Sequence, residues 1–208
     1  MRRKGKSPRV IKLQTRPYPV KTKFGFLSRW IFATIAGFAI SLFWVEVGER
    51  PDLGVMQGIL GGLVIGISQW LVLRQYITQP WQWIFATVIA WGILGYSHLG
   101  VLGFVAPSSL NLGLRLFYGC RDGFLIGLWL GLWHWWALRG QVLKSRRWLW
   151  WSPWFWGIGL ALGWGVGGLL RQLTGIFLAE VIGLSLTWAI VGGCMGKLLT
   201  QLLWIEKN

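Results

Sequence analysis

The chain has 208 residues, of which 54% are hydrophobic and 13% charged, with a mean hydropathy of +0.53 and a formal net charge of +15. Soluble domains carry about 25% charged residues, so this composition excludes an ordinary water-soluble globule. Six acids and two histidines also leave little material for acid–base or metal chemistry, and no enzymatic activity is expected.

A basic arm comes first. Residues 1–26 lack a long apolar stretch, contain Pro8, Pro17 and Pro19, and read as a flexible cytoplasmic segment. An acid-free, Arg-rich start also resembles an organellar transit peptide. A topology signal that lies on anionic lipid explains it as well, since each basic residue near such a surface contributes about 1 kcal/mol. No nucleic-acid partner and no cleaved signal are expected: the apolar run that follows is long, and no small-residue cleavage site ends it.

Six apolar stretches then follow, near 28–45, 54–73, 82–99, 122–138, 148–169 and 179–203. Roughly 20 apolar residues carry a helix across a bilayer. In hydrocarbon a helix satisfies its own backbone, which strands do only in a closed barrel. Residues 106–118 read as an apolar loop or a short element on the outer surface. The expected fold is all-α and integral to the membrane, with a six-helix transmembrane domain over 27–208.

Charge sets the orientation. Residues 1–29 hold ten Lys or Arg; with Arg74, Arg139, Lys144, Arg146, Arg147, Lys197 and Lys207, one side carries 17 of the 21 basic residues. The other side has Arg50, Arg115, Arg121 and Arg171, and five of the six acids: Glu46, Glu49, Asp52, Asp122 and Glu180. Basic loops stay in the cytoplasm. Both termini are therefore expected there, as an even number of spans requires.

The spans repeat. Gly54, Gly58, Gly62 and Gly66 stand four apart, and Gly119, Gly123, Gly127 and Gly131 follow them at a constant offset of 65. A third step reaches Gly192 and Gly196, while Leu184 and Trp188 replace the first two glycines. Trp30-Ile-Phe-Ala-Thr34 recurs as Trp83-Ile-Phe-Ala-Thr87, and Trp83 maps to Trp148. The reading is three tandem parallel helical hairpins, approximately 27–76, 80–141 and 146–206, with Gly-stripe packing. Small residues every fourth position let helix backbones approach. The stripes suit packing within the chain or between copies.

Twelve of the 18 tryptophans fall near the expected cytoplasmic ends. Trp70, Trp135 and Trp148 beside Arg74, Arg139, Arg146 and Arg147 suggest a face for anionic lipid or a protein partner, with cation–π contacts. A plain interfacial anchor is the alternative. The pattern Gly-x3-Gly-x3-Gly-x2-Gln-Trp-x2-Leu-Arg, best from Gly58 to Arg74, resembles a Gly- and Trp-rich polytopic membrane family of cyanobacteria and other bacteria. The resemblance spans residues 28–204, with His134 in place of Gln69 in the second copy. It implies a plasma or thylakoid membrane and supplies no catalytic residues.

Polar positions also follow the repeat. Gln57, Asp122 and Thr187 are equivalent near the outer side, and Gln69 and His134 twelve residues later. Intramembrane polar groups are functional candidates, and these suggest two layers of a pathway. Asp122 equally suits a helix start in water beside Arg121. Two functions remain: a non-enzymatic accessory, assembly or interaction module binding a membrane protein, lipid or pigment; or a small-molecule or ion transporter, channel or substrate-binding membrane subunit. No cofactor is assigned.

Overall fold

The computed structural model describes residues 23–49, 54–97 and 102–204. Most of the basic arm lies outside the described residues, as do Arg50, Asp52 and His98. The chain is all-helical: α1 Lys23–Ser41, α2 Val55–Leu73, α3 Trp81–Tyr96, a short 3-10 turn Leu102–Phe104, α4 Leu112–Leu138, α5 Arg146–Thr174 and α6 Leu178–Trp204. Among the described residues the only β pairing is an isolated bridge, Gly48 to Val105. By length and composition α1, α2, α5 and α6 are apolar enough to cross a membrane. The shorter α3 has 16 residues, about 24 Å at 1.5 Å per residue. The 27-residue α4 carries Arg115, Arg121 and Asp122.

Helix α4 departs most from its expected bounds, beginning ten residues before position 122 and absorbing much of the presumed 106–118 loop. Asn111 caps it, its Oδ1 accepting the Leu114 backbone N–H at 3.1 Å, which satisfies one donor that a helix start leaves orphaned. Arg115 interrupts the apolar run in sequence, but its charge is neutralised internally, so the helix continues through it. Helix α5 outlasts its expected end at 169 and stops at Gly175, whose φ of +68° closes the helix in the left-handed region that glycine tolerates.

Each helix packs against its neighbours in chain order, and α6 returns to pack against α1. The connections gather at two ends. At one, Gln141 in the α4–α5 connection accepts at Oε1 from Thr78 Oγ1 (3.0 Å) and the Gln79 backbone N–H (2.7 Å) in the α2–α3 connection. At the other, the Ala106 N–H donates to Gly48 O at 2.9 Å, and Arg171, near the end of α5, pairs with Glu49.

The close approaches fall at glycines. Gly58 and Gly62 lie against Trp91 and Thr87 of α3, Gly123 and Gly127 against Trp156 and Ser152 of α5, and Gly192 and Gly196 against Thr34 and Trp30 of α1. A Cβ at Gly127 would stand 2.5 Å from the Ser152 carbonyl oxygen, and one at Gly62 would stand 3.0 Å from that of Thr87. These are contacts with backbone, which has no rotamer to yield. A further crossing joins Gly163 of α5 to Gly183 of α6. It lies outside the four-residue register of the stripes.

The centre between the helices is aromatic. Trp30, Trp83 and Trp148 are each 1% exposed, with Trp83 edge-on to Trp30 at 5.6 Å and to Trp148 at 5.4 Å. A second group joins Phe38, Trp91 and Trp156, all in contact with Trp188. Phe104 from the 3-10 turn closes over it, meeting Phe38, Trp91 and Trp188. Aromatic pairs, stacked or edge-to-face, contribute about 0.5–1.5 kcal/mol each beyond area burial.

A pair of glycine variants tests the packing. Gly127→Ala forces α4 from α5 and is expected to destabilise the fold by about 1–3 kcal/mol. Gly193→Ala meets only Ile31 Cδ1 at 3.9 Å. It should be neutral or stabilise by up to about 1 kcal/mol, because alanine favours the helix over glycine. Thermal unfolding in detergent micelles, with both variants beside wild type, measures the contrast.

Candidate functional site

Between the two aromatic groups lies a polar layer. Gln69 on α2 donates from Nε2 to Thr34 Oγ1 on α1 at 3.2 Å, and its Oε1 accepts the Trp83 indole N–H at 2.9 Å. His134 on α4, 65 residues after Gln69, makes a similar contact, with Nε2 3.0 Å from Thr87 Oγ1. Thr87 sends its own hydroxyl proton to Trp83 O at 2.7 Å, so the histidine N–H is the donor in this bond. The imidazole also stacks flat on Trp83, centroids 4.1 Å apart and planes 5° apart.

The same offsets reach Ser152 from Thr34 and Thr87, each four residues after a tryptophan, and reach Leu199 from Gln69 and His134. Leu199 is fully buried and offers no hydrogen bond. Ser152 Oγ is accordingly buried without a partner among the described residues, as are the indole nitrogens of Trp30 and Trp148. Thr34, Gln69, Thr87, His134, Trp30 and Trp148 surround a cavity of about 30 Å³. One water requires roughly 10–15 Å³ of such space, together with polar partners. The cavity has the room and the donors for about two.

The sequence candidates divide. Gln69 and His134 meet at this cavity. Gln57, Asp122 and Thr187 do not line it and share no hydrogen bond with one another among the described residues. Asp122 lies about 15 Å into α4, not near its start, and accepts from Arg121 Nε at 2.6 Å. Thr187 is fully buried and donates to backbone oxygens of Gly159 and Gly183. Gln57 is half-buried beside Gly54.

On the basic face, Arg74 covers the Trp70 ring at 5.2 Å and Arg139 the Trp135 ring at 5.9 Å, within cation–π range. Arg146 and Arg147 are exposed. Trp148 corrects the expectation of a surface role. It sits in the core because α5 turns that side toward Trp83 and His134.

One constellation escapes sequence reading altogether. The Arg115 guanidinium, fully buried, meets both carboxylate oxygens of Glu180 at 2.8 and 2.6 Å. Its remaining N–H groups reach Ser109 O (2.6 Å), Trp164 O (2.9 Å) and Pro107 O (2.7 Å), so all five donors are used. Arg171 approaches the same Glu180 at 3.6 Å. Glycines make the room: a Cβ on Gly168 would stand 2.6 Å from Arg115 Cδ, and one on Gly167 2.8 Å from Glu180 Oε2. The available signal was weak. Arg115 and Glu180 are 65 residues apart, at equivalent repeat positions, with opposite charge.

Comparison with family models, curated proteins and solved structures gives no match.

Two sets of variants probe these groups. Gln69→Leu strands the Trp83 indole and Thr34, and should cost about 1–3 kcal/mol. Ser152→Ala removes a hydroxyl with no partner and should be neutral or stabilising. Chemical unfolding of both in detergent separates a satisfied polar layer from an incidental one.

Glu180→Gln leaves the buried guanidinium without its counter-charge, and Arg115→Met leaves the carboxylate without its own. Each should destabilise by about 3–5 kcal/mol. The paired replacement Arg115→Met with Glu180→Met should recover part of that loss. A double-mutant cycle on the midpoint of thermal unfolding reads the coupling.

Proposed function

We propose that this chain is an integral membrane protein of six spans, arranged as three tandem parallel hairpins with glycine stripes. On this reading both termini face the cytoplasm of a bacterial plasma or thylakoid membrane. It acts without catalysis, as an accessory, assembly or interaction module that binds a membrane partner. The observation that carries this reading is the filled centre. Where a carrier places a conduit or substrate chamber, this chain places Trp30, Trp83, Trp148, Trp91, Trp156 and Trp188, with room for about two waters. Small-molecule sites commonly occupy about 300–1,000 Å³.

Binding then falls to the outside. Arg74–Trp70 and Arg139–Trp135 pairs, with Arg146 and Arg147 nearby in sequence, present cations braced on indoles. That chemistry suits acidic headgroups or the acidic juxtamembrane segment of a protein partner. A transporter is the competing reading; its candidates Gln57, Asp122 and Thr187 share sequence offsets but do not line the central cavity.

In-cell crosslinking from photoreactive side chains at the neighbouring exposed positions 75 and 143, with Arg74, Arg139 and Arg147 intact, followed by purification in mild detergent, tests the proposal. A stoichiometric adduct to one membrane protein or acidic lipid is expected, and it is lost when Arg74, Arg139 and Arg147 are replaced by Gln with the photoreactive positions unchanged. A small molecule that raises the unfolding temperature of the purified chain, with uptake abolished in folded Asp122→Asn, would replace this reading with the transporter.

A further inference from the structure

A second cavity, about 340 Å³, opens on the outer surface of the α1/α2 hairpin. Its walls include Phe32, Ala33, Ala36 and Ile40 of α1 and Ser68 and Leu71 of α2, with Arg29 and Tyr76 also in the lining. From Arg29 to Ile40 is eleven residues, about 16 Å along the helix. That is close to half of the roughly 30 Å hydrocarbon thickness of a bilayer, so the groove runs about the depth of one leaflet.

The other hairpins carry large rings at the corresponding places. Under the repeat numbering, Ser68 and Leu71 become Trp133 and Trp136 in the second hairpin. Ala33 and Ala36 become Trp151 and Trp154 in the third. Only the first hairpin is free of tryptophan at all four of these places, although the Phe32 and Tyr76 rings also line its groove. The cation at its mouth, Arg29, is shared with the third hairpin, where Arg147 corresponds to it, and is replaced by Gln82 in the second; the first hairpin alone combines that charge with alanines at 33 and 36.

We infer that the α1/α2 groove holds one anionic phospholipid, its acidic headgroup on Arg29 and one acyl chain laid along Ala33, Ala36 and Ile40. The inference rests on the membrane reading above and names one lipid site within it, separate from the Arg74 and Arg139 face. A cation at the leaflet boundary with an apolar channel running inward from it matches a charged amphiphile in both polarity and length. A zwitterionic lipid would fill the channel and lose the net charge attraction. A protein helix is too wide: with side chains it is about 10 Å across, and this cleft lies between two helices already in contact.

The full chain, reconstituted in phosphatidylcholine vesicles with a trace of phosphatidylglycerol bearing a mid-chain diazirine, provides the test. Photolabel is expected at Ala33, Ala36, Ile40 and Leu71. Unlabelled phosphatidylglycerol should displace it about fivefold better than phosphatidylcholine, the weight of one basic residue at a membrane surface. Ala36→Trp should abolish the groove label. If that variant loses its monodisperse folded state, Ser68→Trp loads the opposite wall in its place. Arg29→Gln should retain the label and lose the preference for the acidic lipid. Label spread evenly over the lipid-facing helices, or equal displacement by both lipids, overturns the inference while leaving membrane insertion intact. A chain that fails to insert overturns the membrane reading with it.

Discussion

Helices surrounded by hydrocarbon gain little by hiding apolar side chains from it, because lipid is as apolar as leucine. What holds them is nearness, and nearness requires that something be missing from the contact. In this chain the missing groups are side chains at Gly58, Gly62, Gly123, Gly127, Gly192 and Gly196, where a single methyl would press on neighbouring backbone, on a packed indole or, at Gly192, on the Thr34 side chain. The remaining features follow from that proximity. Backbones this close draw the odd-numbered helices inward, and the indoles they carry at 30, 83 and 148 have no exit except toward one another. The six-membered succession closes because α6 reaches α1 in the same manner.

An aromatic interior has few ways to satisfy a polar atom, and the polar layer shows how narrowly it is done. Gln69 serves Thr34 and Trp83 together, and His134 serves Thr87 while stacking on Trp83. Where Leu199 replaces that class of residue, Ser152 is left alone. The opposite end uses charge instead. Arg115 and Glu180 bring full charges into the protein interior, a choice that is stable only because every guanidinium donor and both carboxylate oxygens are engaged.

Much of this was legible in the sequence, and the illegible parts share a cause. The helical class and the apolar helices could be read because periodic glycines and long apolar runs are local signals. The equivalence of Gln69 with His134 could be read because it needs only subtraction. The start of α4 could not: Arg115 looks like the end of an apolar segment until Glu180, 65 residues away, is known to neutralise it. Trp148 was misplaced for the same reason. Indoles near a basic connection suit an interface or a core equally well, and the choice depends on which side of α5 faces Trp83. The α5/α6 crossing at Gly163 and Gly183 breaks the register of the stripes, so counting in fours passes over it.

The Arg115 clamp also ties the last helix to what comes before it in the chain. Its donors are shared among the segment before α4, the middle of α5 and the first turn of α6. The cation is translated well before its counter-ion, and the carbonyls of Pro107, Ser109 and Trp164 that accept from it also precede α6. Only the last helix supplies the opposite charge. A chain cut short before Glu180 would therefore keep the guanidinium's neutral acceptors and lack the one group that cancels its charge.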